Sequence, residues 1–428
     1  MDTCGNSIKG RVDSLKPLIR TTGPRIHIWL AALGLTAQVY LFNYQIDLKL
    51  ASLNVAYLLL IPIVLVCGFR LSDLNFAGLL SCLLIMLSLT QLIQGPPEFD
   101  LIRMGFGILL FVFSSFALIR LLDLSAIDDH QTTFHFIGIF LWIHVALQIG
   151  QLIWILIGGE AVQASYIPGI PRTWGLMGET SHFSIMFAPL IFIAVFDYKR
   201  FKELFGVRAL VAMTLSTFFL GINASSFAVL LFAALLRGLW LWRVSRIIVP
   251  LAAVALFVGL SVALVPFIAE RMQSAVYLLL NPSDAEWGGN ISSLVLLKGA
   301  EMALAGISHF PLGVGLLNFQ SLIVYSPTAK LSDIIYQLNT MDGSSLLFKG
   351  IGEFGYLYIF FLASVATQLF KRLPYLHDNT ALIEAACLFS VLSASVRGAS
   401  YFTGAATIGI AIALRCILTR KCRRVIPS

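Results

Sequence analysis

The 428 residues are 58% hydrophobic and only 12% charged, with a mean hydropathy of +0.88, where an ordinary soluble domain carries about a quarter charged residues. The apolar residues form continuous runs near the roughly 20 residues that a spanning helix needs, not the short alternating segments of a β-barrel, and lipid leaves helices as the economical way to satisfy the backbone. A net charge of +7 asks for no nucleic-acid partner, because the basic residues sit in short segments beside apolar runs, where topology and anionic lipid account for them.

The chain is therefore expected to be a single all-α polytopic integral membrane domain over residues 1–428, with about 12 transmembrane helices. Residues 1–25 carry charge but no early apolar core with a small-residue cleavage site, so the first span reads as a retained helix and not a removed signal peptide. No lipidation box is seen. The predicted spans are 26–42, 51–68, 74–94, 101–122, 134–157, 181–198, 209–221, 225–241, 247–267, 344–370, 381–396 and 399–418.

Residues 209–241 could form one overlong helix or two short ones with a turn at Gly221-Ile222-Asn223, and charge decides between them. With twelve spans and an internal N-terminus, most of the 29 Lys and Arg fall on the cytoplasmic side: those before the first span, Arg70, Arg120, the groups at 199–208 and 237–246, Lys371, Arg372 and the C-terminal cluster. Merging the seventh and eighth spans would send the Arg237 cluster and one basic terminus outward, against the positive-inside tendency. Both termini are thus expected in the cytoplasm. Cys4, Cys67, Cys82, Cys387, Cys416 and Cys422 all fall in spans or on the cytoplasmic side, so no disulfide framework is implied.

Two external segments stand out, 158–180 and the longer loop 269–343, and long loops in compact proteins tend to carry function. Within the second, 291–306 reads as an amphipathic helix with Lys298 and Glu301 three apart, and 328–339 as another after the break at Pro327. Such helices either rest on the bilayer surface or form a lid over a cavity. No internal repeat of fixed period is present. An inverted-repeat transporter would show matched broken helices, and only the Gly221 break is legible.

Arginines at the outer side are Arg103, Arg172, Arg271 and Arg397. A guanidinium stays charged in a low-dielectric site and offers a planar fork of donors, which suits phosphate or pyrophosphate. Arg103 is expected to pair with Asp100 instead, and Arg271 has Glu270 beside it. Arg172 and Arg397 sit among Gly, Ser, Thr and Tyr near span ends, where a ligand role is favoured. Glu179 and His182 lie three apart and would share a face if the sixth span starts at Glu179, placing a carboxylate and an imidazole where a sugar hydroxyl could be held or deprotonated. The structural alternative is that Glu179 neutralises Arg172 or favours the helix N-terminus.

His309 precedes Phe310-Pro311-Leu312-Gly313-Val314-Gly315, where glycine permits a tight turn or close approach. No strand precedes this segment and no Lys-Ser or Lys-Thr follows, so neither a dinucleotide fold nor a phosphate-binding loop is credible. His144, inside the fifth span, is expected to make an inter-helix hydrogen bond. With two external histidines and no cysteine nearby, no metal site is expected.

Four segments in this order, "PRTWGLMGETSHFS" (171–184), "SHFPLGVGLLNF" (308–319), "SSLLFKGIGEFGYLYIF" (344–360) and "VRGASYFTG" (396–404), resemble the bacterial O-antigen polymerase and ligase superfamily. The first is similar to an Arg-x-x-Gly, then Glu-Pro-Ser, pattern, with Thr180 where Pro is usual. The second is similar to His-Pro-x-Gly-x-Gly-x-x-Asn-Phe, with Phe310 inserted after His309. The third resembles the run opening the helix after the large periplasmic loop, with Gly352, Glu353 and Gly355 in place. Ligases of the superfamily carry a His, then Asn, Ser or Gln, nine residues, then Gly-x-x-Gly. Aligned on Gly352 and Gly355, those two positions are Met341 and Asp342, which favours a polymerase.

The resemblance implies a glycosyltransferase-C-like helix bundle in the bacterial inner membrane, acting at the periplasmic face on oligosaccharide repeat units linked to undecaprenyl pyrophosphate, without cofactor or metal. It admits a polysaccharide chain-length regulator as a partner. Arg172, Arg271 and Arg397 would face the pyrophosphate, Glu179 or His309 the acceptor hydroxyl, and His182 and Tyr401 the sugars. Tyr401 lies four residues after Arg397 and would share its face in a helical turn, offering a hydroxyl or stacking ring; its alternative is interfacial anchoring. Competing readings are an O-antigen ligase, with His309 substituting spatially, and a non-catalytic transporter or lipid flippase. Peptidoglycan polymerases of the shape-and-division type share a related architecture but lack this motif order.

Overall fold

A computed structural model describes residues 23–41, 45–47, 52–96, 99–159, 173, 175–176, 182–221, 224–241, 291–331, 333–338, 340, 345–396, 398 and 401–419. In chain order the described helices are α1 (Gly23–Tyr40), α2 (Val55–Cys67), α3 (Leu71–Ile93), α4 (Leu101–Ser125), α5 (Gln131–Leu156), α6 (Phe183–Phe196), α7 (Tyr198–Thr214), α8 (Ala224–Leu241), α9 (Ile291–His309), α10 (Asp333–Gln337), α11 (Leu346–Phe354), α12 (Tyr356–Arg372), α13 (Asn379–Val396) and α14 (Gly404–Thr419). Among the described residues four helices are long and apolar enough to cross a membrane: α3, α4 with its extension to Asp128, α5 and α13. Val55–Cys67, Phe183–Phe196, Ser225–Leu241 and Gly404–Thr419 are shorter apolar helices.

Apolar character is turned outward as well as inward. In α3, Leu74, Leu79, Leu83, Met86, Leu89 and Ile93 are exposed, and in α5 Trp142, Ile143, Leu147, Ile153 and Trp154 are. A water-facing helix could not carry such a surface without cost, whereas hydrocarbon accepts it. By contrast α6, α13 and the first turns of α14 are enclosed. The pair α13 and α14 packs closely enough that a side chain at Gly409 would sit 2.2 Å from the Cys387 carbonyl oxygen, the small-residue approach by which helices associate where burial from water supplies no drive.

Among the described residues helices occupy most of the positions where spans were expected, with four departures. Residues 45–47 and 52–54 form a short antiparallel hairpin between α1 and α2, so the second span begins at Val55. The basic segment after α6 is not a loop: Asp197 caps α7 through the Arg200 N–H, and the helix runs on through a backbone break at Gly206 (φ 80°) into a π-helical turn, Leu215–Leu220. That turn ends at Gly221, and α8 starts at Ala224, so residues 209–241 are two helices. The helix expected over 344–370 is broken at Gly355 into α11 and α12. The twelfth starts at Gly404, five residues later than expected. The ninth, 247–267, lies outside the described residues.

Helix ends sort into two groups. At one, Asp123 of α4 accepts two hydrogen bonds from Arg415 of α14 (3.0 and 3.3 Å) and faces Arg70 at 3.7 Å. Arg120 donates to the carbonyls of Gly68 (3.0 Å) and Cys67 (3.2 Å), closing the C-terminus of α2, and Arg372 meets Glu384 at 2.6 Å. At the other, Gln91 near the end of α3 donates to Leu312 and Glu353 carbonyls, and the Asp100 N–H donates to Asn318. Arg120 therefore serves the protein's own helix ends; it is mostly buried and is no lipid-facing loop residue.

Candidate functional site

The second group of ends is where the sequence motifs gather. Ser345 starts α11, accepting from the Leu347 N–H (3.2 Å) while its hydroxyl donates to the Ser395 carbonyl (2.5 Å); it also pairs with Gly398 across a parallel bridge. Ten residues later the chain leaves the helix at Gly355 (φ 58°, ψ −138°). A helix end leaves carbonyls without intrahelical partners. Here the Val314 and Gly315 N–H groups donate to the Gly352 (2.9 Å) and Glu353 (3.0 Å) carbonyls, and the Tyr356 N–H donates to Pro311 (3.0 Å). The segment 311–315 is thus bound into the break between α11 and α12, and Gln91 holds both partners, donating to Leu312 (2.7 Å) and Glu353 (2.8 Å).

Glycine is needed for that approach. A Cβ at Gly313 would lie 2.2 Å from the Glu353 carbonyl carbon, and one at Gly355 1.9 Å from the Pro311 oxygen. The Gly-x-Gly pattern, uninformative about nucleotides, is the seat of a backbone-to-backbone contact.

Behind this seat lie Glu353 (0% exposed) and Lys349 (4%), one helical turn apart with Nζ 3.9 Å from Oε1. Lys349 also stands 5.6 Å from the ring centre of Tyr401. Tyr401 is 2% exposed and packs edge-on against Phe354 (5.7 Å) and Phe111 (6.1 Å). It occupies the turn between α13 and α14, not a helix. The face it was expected to share with Arg397 involves residues outside the described ones, and the Tyr401 ring is enclosed by protein. Its hydroxyl points instead toward the Glu353 carboxylate.

A second assembly anchors the segment that carries the first motif. His144, Gln148 and Gln151 follow one face of α5 at helical spacing. The Leu176 N–H donates to His144 Nδ1 (3.0 Å), the Gly175 N–H to Gln151 Oε1 (3.0 Å), and Gln148 Nε2 to the Thr173 carbonyl (3.3 Å). The Thr173 N–H donates to Leu220 (3.1 Å). His144 thus bonds to loop backbone and not to another helix, with its ring edge-on to Phe183 (5.0 Å) and Phe187 (5.5 Å). Arg172 and Glu179 lie outside the described residues. The described helix starts at Phe183, with His182 partly exposed just before it, so the premise of a face shared by Glu179 and His182 also lies outside them.

Within 269–343, α9 covers 291–309 where a helix over 291–306 was expected, and its charged pair turns inward. Lys298, fully buried, donates to the carbonyls of Ile335 (2.8 Å), Tyr336 (3.3 Å) and Leu338 (2.5 Å) at the C-terminus of α10. Glu301 accepts from the Thr328 N–H (3.0 Å), the Thr328 hydroxyl (2.7 Å) and Ser326 (2.5 Å). His309 ends α9 exposed, stacked on Tyr325 at 4.7 Å. Arg103 takes the expected pairing, 3.8 Å from Asp100. Arg271 and Arg397 lie outside the described residues.

The structure thus joins three of the four motifs, 308–319, 344–360 and 396–404, around Glu353. Lys349, Glu353, Gln91 and the α5 polar stripe were not singled out from sequence as site residues. Their signal was available: an i, i+4 ion pair and an i, i+4, i+7 polar stripe inside apolar runs, where such groups are expensive. An apolar cavity among α1, α5, α6, α13 and α14, lined by Leu35, Tyr40, Met186, Cys387 and Ile408, includes none of these groups. No family model matches the chain, and no curated protein matches it.

Proposed function

We propose that this chain is a membrane glycosyltransferase that polymerises lipid-linked oligosaccharide repeat units, a bacterial O-antigen polymerase. The observation that supports this reading most is the convergence of three separated motifs on one break in one helix, since segments with no reason to meet for packing alone are held together backbone to backbone. In the proposed arrangement about 12 spans cross the inner membrane, both termini are cytoplasmic, and the end of the bundle that holds Glu353 faces the periplasm.

An acceptor hydroxyl of the incoming repeat unit attacks the anomeric carbon of the growing glycan. The new carbon–oxygen bond forms as the bond from that carbon to the pyrophosphate oxygen breaks, undecaprenyl pyrophosphate departs, and the hydroxyl proton is released. Charge builds on the leaving pyrophosphate, where arginine donors act, and the weak nucleophile is helped by a carboxylate or imidazole. Arg172, Arg271 and Arg397 are assigned to the first task, Glu179 or His309 to the second, and His182 to the sugars. Holding two lipid-anchored substrates in register supplies much of the rest.

Deletion of the gene in its host tests the reading: a polymerase leaves lipid A core with one repeat unit, whereas a ligase leaves core with none. Arg172→Ala should reproduce the deletion with normal membrane insertion; full-length ladders from that variant would remove Arg172 from the mechanism. A transporter or flippase is favoured by one observation, the helix broken at Gly355 beside a buried ion pair, which is how transporters build midplane sites. Purified protein in nanodiscs that lengthens lipid-linked repeats without a second membrane compartment would exclude it.

A further inference from the structure

Several buried polar atoms lie close together on α11, α12 and the turn before α14. Both carboxylate oxygens of Glu353, the hydroxyl of Tyr358 and the hydroxyl of Tyr401 are buried without a hydrogen-bond partner among the described residues. Their side chains belong to residues only 0%, 4% and 2% exposed. The three groups face one another: Glu353 interacts with Tyr401 and Tyr358, and Tyr401 with Tyr358. Gln91, whose amide nitrogen holds the Glu353 carbonyl, likewise has its side-chain oxygen buried with no such partner.

An orphaned buried polar atom forfeits about 1–3 kcal/mol, and a carboxylate more. Four such atoms together would consume much of the 5–15 kcal/mol that typically separates folded from unfolded states, so native folds satisfy such groups. Among the described residues no group does so here. Lys349 Nζ, at 3.9 Å, is beyond hydrogen-bond length. The Tyr401 hydroxyl and the N–H groups of Leu317 and Phe319 face the carboxylate, and Ser395 faces the Tyr358 hydroxyl, none of them within bonding geometry; the carbonyls at the break are engaged with Val314, Gly315 and Gln91. A carboxylate only accepts, whereas a tyrosine hydroxyl both donates and accepts. The missing partner must therefore be small and able to do both. A metal cation does not fit, because the Lys349 ammonium already supplies the positive charge.

We propose that this cluster of buried groups is a closed water-binding site in which ordered water bridges the Glu353 carboxylate to Tyr358, Tyr401 and the Lys349 ammonium. A buried water with two to four polar partners is a stable structural element, and in this one the break between α11 and α12 has a hydrated polar core at the point where segment 311–315 docks. The assignment stands whether or not the chain transfers sugars.

Hydroxyl-radical footprinting of the full-length protein in phosphatidylethanolamine–phosphatidylglycerol nanodiscs tests it, because radicals generated from bound water oxidise neighbouring side chains that bulk solvent does not reach. Tyr40 is the control, equally buried but with its hydroxyl donating to the Ile137 carbonyl. Tyr358 and Tyr401 should be modified several-fold faster than Tyr40, Glu353→Gln should preserve that rate, and Glu353→Leu should bring it down to the control. Modification of both tyrosines no faster than Tyr40 in the wild type overturns the proposal, as does an undiminished rate in Glu353→Leu. Should Glu353→Leu fail to fold, the wild-type comparison decides alone.

Discussion

Gly355 and Gly313 let two backbone segments meet, because a Cβ at either would overlap the other's neighbours. Gly355 has φ 58° and ψ −138°, and its Cβ position is 1.9 Å from the Pro311 oxygen. A backbone held where L side chains rarely go costs about 1–3 kcal/mol, and the overlap adds to it. Gly355→Ala should lower the melting temperature in detergent markedly and release segment 311–315. Gly105→Ala is the matched control, since Gly105 lies inside α4 with open space at its Cβ; it should be neutral or slightly stabilising. Equal melting of the two variants would mean the docking contact is dispensable. Gly313 was read in the sequence as a point of tight turn or close approach, whereas Gly355 entered only as part of the family-like run over 344–360. Their partner could not be read, because no local pattern states which distant carbonyl a loop N–H will meet.

At the scale of elements, apolar run length located most helices and misjudged how they end. Hydropathy over 344–370 sees one continuous stretch, yet Gly355 divides it, and the sharper clue was charge: Lys349 and Glu353 one turn apart in an apolar run. The amphipathic α9 was legible from its periodicity, but the direction of its polar stripe was not. Lys298 and Glu301 suggested a water- or headgroup-facing side; they clamp the returning chain instead, the ammonium at the C-terminal carbonyls of α10 and the carboxylate at the N–H and hydroxyl of Thr328. Each charge complements the polarity of the chain end it meets. Hydrogen bonds to a charged group contribute about 1.5–3 kcal/mol, so Lys298→Met should free 333–340 while sparing the membrane bundle. Limited proteolysis of the variant in nanodiscs should cut within that segment at a rate well above wild type; an unchanged digestion pattern would show that apolar contacts alone hold it.

Across the whole molecule, basic residues were read as topology signals, and the structure gives several of them a second task. Arg120, Arg372 and Arg415 lie at the helix ends opposite the Gly355 break and are bound within the protein: Arg120 at two carbonyls of the α2 terminus, Arg372 at Glu384, Arg415 at Asp123. A count of Lys and Arg per segment cannot separate a residue that answers to lipid charge from one that ties helices together. The distinction is measurable at Asp123, which is mostly buried and serves Arg415 bidentately with Arg70 farther off. Removing one member of a buried pair leaves the other charge uncompensated, so each single change costs more than the pair is worth. Asp123→Asn and Arg415→Gln should each lower stability, while the double variant should lose less than their sum, with a coupling of about 0.5–3 kcal/mol. Thermal melts of the four proteins in one detergent measure that coupling. Strict additivity would return Arg415 to the role that sequence alone assigned it, a charge held near the membrane surface by lipid.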